Sequence, residues 1–371
     1  MFAPARIVTA IKPSASAGVL GSAALVMVVF ASTPFLIPAV SADFGVDLGA
    51  AGLISTVQVG GFAVTSFLAG RLATIGRLWL VGSCVVLGVA TAGSAIVQPF
   101  ALLLVSRGVA GAAMGVITWL AWSDATRHHR GLSDVAATGP LAATISSPIV
   151  AWLASAGGHK LVYAVLAVGA FVVLVLPADL EPSPPVGRAV SGSRSNRVLL
   201  AALTLLALSG SSLFVFAAVT GAGTGMSPLA VSLGFSLNAL AGVVGTRTTA
   251  RHGWVWAWFA SIGVFATLVG VPVSGIAFIG AMMGWGFAYW VGVPAVFRML
   301  ADRSLRPDER LGDAQSLMAV GRVLGPALGG IVLGADRFVP LTVFSVGGTA
   351  VTAALVGGVE LRRRRAARPT P

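Results

Sequence analysis

The stretch Val19–Val40, VLGSAALVMVVFASTPFLIPAV, decides the fold class because it runs for 22 residues without a charged side chain. About 20 apolar residues in an α-helix span the hydrocarbon core of a bilayer, so this stretch predicts a membrane-spanning helix. Leu78–Ser106 and Trp254–Phe297 are also free of Asp, Glu, Lys and Arg. Charged residues form 10% of the 371-residue chain, and its mean hydropathy is +0.93. We therefore predict an integral membrane protein.

Apolar stretches recur along the whole chain, separated by Gly, Pro and charged residues. Each predicts a helix rather than a barrel strand, because the stretches are continuously apolar and a backbone amide in lipid needs an internal partner. We predict an all-α membrane protein with about twelve crossings, with eleven to thirteen as the range. The segments are 18–39, 49–70, 78–97, 100–122, 135–155, 160–178, 198–219, 227–246, 254–271, 275–299, 314–334 and 339–359.

The basic residues lie almost entirely on one side of the predicted bundle. With both termini and the even-numbered loops on one side, that side holds 20 of the 24 Lys and Arg residues. The opposite side holds Lys160 and Arg337, while Arg107 and Arg322 fall inside apolar segments. Cytoplasmic loops carry such an excess of Lys and Arg, so we predict a multi-pass plasma-membrane protein with both termini in the cytoplasm. This pattern accounts for the net charge of +12 without nucleic acid as a partner.

Residues 181–197 are hydrophilic and rich in Pro, Ser, Gly and Arg, which is typical of a flexible linker. We predict an N-terminal six-helix bundle over residues 1–180, a cytoplasmic linker over 181–197, and a C-terminal six-helix bundle with a basic tail over 198–371. The halves carry similar sequences in the same order: Gly111–Gly115 matches Gly280–Gly284, and Pro148 matches Pro326. These matches predict a duplicated, pseudo-symmetric six-helix unit.

Together these residues resemble the major facilitator superfamily, in particular its drug–proton antiporter-like branch, over nearly the whole chain. Pro38–Val46 resembles that branch's connection between helices one and two. The family's loop motif after helix two, Gly-x-x-x-Asp-Arg-x-Gly-Arg, is similar to Gly70–Arg77, which lacks the acid and is one residue shorter. The resemblance implies a cytoplasmic latch between the halves, formed by Arg71, Arg77, Asp124 and Arg251. The alternative is that these arginines only set the topology.

Segments four and eleven contain residues that are similar to two other motifs of the family. Arg107 and Gly111 match an Arg-x-x-x-Gly motif whose Arg faces the central cavity in the family. The helix-five antiporter motif is degraded around Pro148, whereas Gly312, Gly321, Gly325, Pro326, Gly329 and Gly330 match it completely in segment eleven. Gly residues four apart permit close helix packing, and Pro bends a helix. We expect packing or hinge positions at Gly111, Pro148, Gly321, Gly325, Pro326 and Gly329.

Arg107 and Arg322 are candidate substrate-binding residues, because a charge at the bilayer centre costs about 2.5–3.5 kcal/mol on insertion scales. Arg322 could also reach the cytoplasmic interface by snorkelling. Five further residues are candidates for substrate binding: Gln58, Asn238, Thr33, Trp119 and Tyr289. Polar side chains within the membrane are expected to face the protein interior. Aromatic residues near helix ends are more often interfacial anchors.

No acidic residue and no His falls in the middle of a predicted segment, although proton coupling usually uses a carboxylate or imidazole. Asp43, Asp124 and Asp134, all near helix ends, are the nearest candidates, and His159 is predicted to lie outside the membrane. Two buried cations without buried anions suggest that the substrate itself supplies negative charge.

These patterns predict a secondary active transporter that moves a small molecule by alternating access, with export favoured. The alternatives are an uptake or exchange carrier for a small anion, and a non-transporting receptor or scaffold on the same fold. We expect no enzyme, because one Cys and four scattered His provide no catalytic cluster. We expect no cofactor and no metal. The expected partners are a small-molecule substrate, the lipid bilayer and a coupling ion such as H⁺, and we expect a monomer.

Overall fold

The computed structural model describes residues 15–72, 76–127, 131–180, 194–248, 250, 254–302, 307–333 and 338–366. Within these ranges the chain is helical and contains no strand. In the first half, the helices are α1 (Ala17–Phe44), α2 (Leu48–Ala51), α3 (Leu53–Leu72), α4 (Arg77–Ile96), α5 (Phe100–Arg127) and α6 (Gly131–Val173). In the second half, they are α7 (Arg194–Phe214), α8 (Ala217–Ala222), α9 (Pro228–Arg247), α10 (Val255–Gly270), α11 (Gly275–Ala301), α12 (Pro307–Leu333) and α13 (Phe338–Ala366).

The described helices make twelve crossings. Ten spans are long and apolar enough to cross a bilayer, and α10 is a shorter apolar helix. The long helix α6 loses helical geometry at Gly157 (φ −151°, ψ 23°) and Gly158 (φ 60°, ψ −156°), so it contains two crossings joined by a tight turn. Gly158 adopts a left-handed conformation that costs a residue with a Cβ more than it costs glycine. This count confirms the predicted all-α membrane fold with about twelve helices.

Two lobes of six crossings repeat one another. Helices α1 and α7 begin at residues 17 and 194, α3 and α9 at 53 and 228, and α5 and α11 at 100 and 275. The offset therefore stays between 175 and 177 residues at all three pairs. We call α1–α6 the N lobe and α7–α13 the C lobe.

The predicted match of Gly111 with Gly280 is wrong. A Cβ added to Gly111 would overlap the backbone carbonyl of Gln58, and one added to Gly286 would overlap that of Asn238. Gly280 has no neighbouring atom within 4 Å of an added Cβ. The structural counterpart of Gly111 is thus Gly286, because both allow one helix to lie directly on the backbone of its neighbour.

Several helix boundaries differ from the predicted segments. Helix α1 continues five residues beyond residue 39 and ends where Gly45 adopts a left-handed conformation (φ 64°). The sixth crossing ends at Val173 rather than at residue 178, close to Pro177, whose ring disfavours helix in the residue before it. Helix α7 starts at Arg194, inside the predicted linker, and residues 181–193 lie outside the described ranges.

Helix α12 packs through its glycines. Added Cβ atoms at Gly321, Gly325 and Gly329 would strike the backbone or a serine hydroxyl of α7, while Pro326 is buried within the same helix. Pro148 is half-buried in α6. These contacts place the glycines in a close helix–helix interface, and a hinge role for them stays a prediction.

The lobes meet closely near one end of the bundle. An added Cβ at Gly49 would lie 2.6 Å from the Gly330 carbonyl oxygen, and one at Gly330 would lie 2.7 Å from that of Gly49. Nearer the middle, the Ser236 hydroxyl of α9 donates to the Thr144 carbonyl of α6 over 2.8 Å. We call the end with Asp43, Gly49 and Gly330 the Asp43 end, and the opposite end, where α4 begins, the Arg77 end.

We predict that Gly111→Val destabilises the protein, since the added side chain would collide with the Gln58 backbone. Overpacking of this kind typically costs about 1–3 kcal/mol. Thermal unfolding in detergent, followed by tryptophan fluorescence, measures the effect. Gly280→Val is the matched control, because its surroundings are open. Equal melting temperatures for the two variants would contradict this account of the α3–α5 contact.

Candidate functional site

Arg107 is completely buried in the N lobe and is held by neutral groups. Its Nε and Nη2 donate to Gln58 Oε1 over 3.0 and 2.6 Å, and its Nη1 donates to Ser94 Oγ over 3.3 Å. Its guanidinium carbon lies 4.7 Å from the centre of the Tyr163 ring, within the range of a cation–π interaction. The positive charge is thus stabilised by an amide oxygen, a hydroxyl and an aromatic face.

Small residues bring Gln58 to Arg107. Where α3 crosses α5, Gly61 and Gly111 leave the two backbones in contact. The Thr65 hydroxyl donates across this interface to the Ala112 carbonyl over 2.7 Å, and the Ser66 hydroxyl donates to Gly115 over 3.1 Å. These bonds fix the register of the two helices, so that Gln58 lies level with Arg107.

The family motif implied that Arg107 faces the central cavity. In the structure, its side chain is instead buried within the N lobe. Its side chain has 0% exposure, so a substrate cannot reach it in this conformation. The Nε2 of Gln58, the hydroxyl of Thr91 and the Nε2 of His159 are buried without a hydrogen-bond partner. Buried polar atoms of this kind normally bond to ordered water or a small polar ligand.

Arg322 occupies a different position on α12. Gly321, Gly325 and Gly329 face α7, and Gly330 faces the N lobe. The exposed apolar residues of α12 form its lipid face: Leu317, Val320, Leu324, Leu328 and Ile331. At about 100° per residue, Arg322 lies nearly opposite this lipid face. Its side chain is exposed, so Arg322 points into the space between the lobes rather than toward lipid.

Tyr289 positions the Arg322 side chain from the neighbouring helix α11. The Nη2 of Arg322 donates to the Tyr289 hydroxyl oxygen over 3.0 Å. This bond uses one of the five guanidinium N–H donors, so others are available to an anionic group. Two of the predicted residues, Arg322 and Tyr289, are therefore brought together on the C-lobe wall of the cavity.

Four aromatic side chains lie between Arg322 and the Asp43 end. The rings of Phe35 and Phe235 are 4.9 Å apart and join the lobes, and Phe214 lies 5.4 Å from Phe235. Trp285 stands 5.9 Å from Phe214 and one helical turn before Tyr289. We call Phe35, Phe214, Phe235 and Trp285 the aromatic roof. These rings pack between the lobes on the Asp43 side of Arg322.

The remaining predicted substrate residues lie apart from this pair. Asn238 donates to the Met282 carbonyl over 2.7 Å and supports the α9–α11 contact. Thr33 is buried, and its hydroxyl lies 3.5 Å from the Val29 carbonyl of its own helix. Trp119 is half-buried against the N-lobe core. A direct substrate contact for these residues stays a prediction.

The predicted latch is partly outside the described residues, which exclude Arg251 and the side chain of Arg71. Arg77 is exposed at the start of α4, whereas Asp124 is buried near the end of α5. Both residues lie toward the Arg77 end, as a cytoplasmic latch requires. The pairing of Arg77 with Asp124 stays a prediction.

One polar pair was missed by the sequence analysis. His159 follows the Gly157–Gly158 turn and is 1% exposed, and its Nδ1 is hydrogen-bonded to Asp43 Oδ2. The sequence assigned His159 to an external loop because it lies between two apolar segments. The adjacent glycines were the available signal, since a turn this tight starts the next helix immediately and buries its first side chains.

No group of three or more His, Cys, Asp and Glu side chains that could hold a metal ion occurs among the residues that the structure describes. A separate groove of about 650 Å³ lies between α10 and α13, on the outside of the C lobe. The Glu360 carboxylate at its edge accepts hydrogen bonds from the backbone N–H groups of Val255 and Trp256, so Glu360 stabilises the start of α10.

Residues 19–365 match the sequence pattern of the Major Facilitator Superfamily. The chain belongs to the major facilitator superfamily. No curated protein sequence matches it. The assignment to the drug–proton antiporter-like branch stays a prediction.

Solved structures of superfamily transporters share the fold. The peptide-family (POT) transporter PepTSo is 12% identical, with a TM-score of 0.74, over 95% of this chain and 98% of its own. A point mutant of the nucleoside transporter NupG is 16% identical, with a TM-score of 0.67, over 91% and 98%. A bacterial homologue of the human lysosomal transporter Spinster, in an inward-facing and occupied conformation, is 12% identical, with a TM-score of 0.68, over 100% of both chains.

We predict that Gln58→Leu strongly destabilises this superfamily member, because the buried Arg107 charge would lose the acceptor of two hydrogen bonds. A hydrogen bond to a charged group typically contributes about 1.5–3 kcal/mol, and a buried charged donor left without its acceptor adds a desolvation penalty. The melting temperature and the folded yield in detergent report the loss. Gln98→Leu is the control, since Gln98 is exposed between α4 and α5. The double change Gln58→Leu with Arg107→Met should recover part of the stability, and no recovery would mean that the charge is not the cause.

Proposed function

We propose that the chain is a secondary active transporter of the plasma membrane that moves a small molecule by alternating access, with export as its direction. The family and the neighbouring structures are those of transporters rather than enzymes. In the proposed orientation, the Arg77 end faces the cytoplasm, as the excess of Lys and Arg on that side favours. The direction of transport rests on the resemblance to antiporters.

The observation that carries the proposal is the arrangement of the lobes around Arg322. At the Asp43 end the Gly49 and Gly330 backbones touch, and the aromatic roof joins Phe35 to Phe235. Below this closure, Arg322 is exposed at the middle of α12. A polar site at mid-depth that is closed toward one compartment is what a carrier with two rocking bundles requires.

The contact of Gly49 with Gly330 supports a gate at the Asp43 end. Its two partners belong to different lobes, and neither position can hold a larger residue without separating them. Because packed interfaces have discrete arrangements rather than continuous ones, a side chain placed here should favour the open arrangement.

We predict that Gly330→Val holds the Asp43 end open. In a Cys84→Ser background, a membrane-impermeant maleimide added to inside-out vesicles should label Gln315→Cys at least about tenfold more slowly, because opening the Asp43 end closes the Arg77 end around Gln315. This change corresponds to about 1.4 kcal/mol. Gln315 is exposed two turns before Arg322 on the same face of α12. Gly347→Val is the matched control, because nothing lies within 4 Å of its added Cβ. Equal labelling of both variants would count against a gate at this end.

A small organic anion is the substrate class that Arg322 favours. Arg322 is an exposed cation that faces the space between the lobes, and it donates a hydrogen bond to a neutral phenol, that of Tyr289. A guanidinium binds a carboxylate or phosphate group in a bidentate fashion. The aromatic roof next to Tyr289 offers an apolar surface, so an anion with an apolar body fits this wall better than an inorganic ion.

We predict that Arg322→Gln reduces the transport of anionic probes at least about tenfold, while Arg322→Lys retains part of it, because Lys keeps the charge but not the planar fork. Proteoliposomes tested with matched anionic, neutral and cationic fluorescent dyes measure this effect. Arg247→Gln, which removes an exposed charge at the end of α9, is the control. Undiminished transport of every dye by Arg322→Gln would rule out the anion class.

A further inference from the structure

We propose that the Asp43–His159 pair is a proton-binding site linked to closure of the Asp43 end. This inference rests on the proposed function, since it assigns the coupling ion of the same carrier. Imidazole is the side chain whose ordinary charge change falls between pH 5 and 8. The sequence lacks a mid-segment carboxylate or His, and the described structure contains a buried His in contact with a carboxylate at the edge of the bundle.

The geometry gives the proton an entry from water. The Asp43 side chain is 42% exposed, whereas His159 behind it is 1% exposed. Gly158 leaves room for this contact, because a Cβ at that position would lie 3.0 Å from Asp43 Oδ2. Phe44 covers the imidazole, with ring centres 5.1 Å apart. A proton can therefore reach the buried ring through the half-exposed carboxylate.

The chemical step is the binding of one proton. When His159 is neutral, the pair carries one negative charge from Asp43. When a proton from water binds a ring nitrogen, the pair becomes an imidazolium and a carboxylate with no net charge. Release returns the proton to water. The imidazolium and the carboxylate attract each other as opposite charges, which a neutral imidazole and a carboxylate do not, so the bound proton tightens the contact between α1 and α6.

The charged groups around His159 are few among the described residues. Asp43 comes from α1, and Asp47 at the start of α2 is engaged by the Ala50 N–H over 2.7 Å. Lys160 is adjacent on α6, with its side chain exposed. From α5, Arg107 approaches from the far side of Tyr163, whose ring centre lies 6.1 Å from that of His159. Among the described residues, the charge nearest to the His159 ring is thus the Asp43 carboxylate.

Buried polar groups continue from His159 toward the middle of the N lobe. Beyond Tyr163 lies Arg107, with Gln58 and Ser94 bonded to it. The Nε2 of His159, the Nε2 of Gln58 and the hydroxyl of Thr91 are buried without partners. Such a series of unsatisfied polar atoms is where ordered water enters a protein interior.

The pair is connected to the gate through a short stretch of chain. Five residues lie between Asp43 and Gly49. This stretch is fixed by Gly45, by a bond from the Ser41 hydroxyl to the Val46 carbonyl over 2.6 Å, and by the Asp47 cap. Opening would withdraw Gly330 from Gly49 and expose this stretch to water. Because opposite charges attract each other more strongly where water is excluded, proton binding should favour the closed arrangement.

Imidazole ¹⁵N NMR of the full-length protein in nanodiscs tests the binding. The chain has four His residues, so His159→Gln identifies the His159 signals. We expect the ring signals of His159 to change with pH, and we expect Asp43→Asn to alter that change. Lys160→Gln is the control, because it removes a neighbouring exposed charge without touching the pair. A His159 signal that does not change with pH, or does not respond to Asp43→Asn, would overturn the proposal.

Pulsed electron spin resonance between spin labels at Gln98→Cys and Val273→Cys tests the link to the gate. Both positions are exposed at the Asp43 end, one on each lobe. We expect the ratio of closed to open populations to rise at least about fivefold from about pH 8 to pH 5.5, within the usual range of coupling between sites. Lys160→Gln should keep this response, and His159→Gln and Asp43→Asn should lose it.

Two results separate the proton site from the carrier itself. If Gly330→Val shifts the distance while pH does not, the proton site is wrong and alternating access stands. If neither Gly330→Val nor pH shifts the distance, the proposed function fails as well. Should His159→Gln not fold, Asp43→Asn decides the question alone, and a full pH response in that variant would overturn the proposal.

Discussion

The bilayer imposes the constraint on which this structure depends: each buried polar group needs a partner within the protein. Backbone groups find partners inside the helices, and Ser and Thr hydroxyls donate back to carbonyls three or four residues earlier. Ser32 bonds Val29 over 2.7 Å and Ser147 bonds Ala143 over 2.7 Å in this way. A cation cannot be satisfied so locally, and the two mid-membrane arginines therefore determine how neighbouring helices are arranged around them.

The duplicated lobes share their backbone contacts but differ in their polar residues. Gln58 and Gly111 in the N lobe correspond to Asn238 and Gly286 in the C lobe. Gln58 accepts from Arg107, whereas the shorter Asn238 donates to the carbonyl of Met282. The C lobe instead carries its cation on α12, at Arg322, where the side chain faces the cavity. The same helix framework thus holds a structural cation in one lobe and an accessible cation in the other.

The apolar runs predicted the fold because a membrane helix must be long and uncharged, and the sequence alone shows whether a segment meets this requirement. The side-chain directions could not be predicted in the same way. Arg107 and Arg322 are both arginines inside apolar segments, and only the positions of α3 and α7 show that one is buried in a lobe and the other faces the cavity. Comparison of short sequence stretches pairs Gly280 with Gly111, because many glycines in this chain have similar neighbours. Gly286 is identified as the counterpart of Gly111 by its contact with the Asn238 carbonyl on the neighbouring helix, and not by its spacing in the sequence.

His159 shows the same limit at a helix end. Counting from the apolar runs places it in a loop, yet the Gly157–Gly158 turn is so short that the next helix buries it beside Asp43. In the proposed mechanism, the N lobe contributes a proton acceptor near the gate, and the C lobe contributes the exposed Arg322 that binds an anion. A proton and a substrate bound to opposite lobes can be coupled only through the movement of those lobes, because the two sites share no side chain. Coupling would then depend on the Gly49–Gly330 interface, where a change on either side alters the free energy of closure for both.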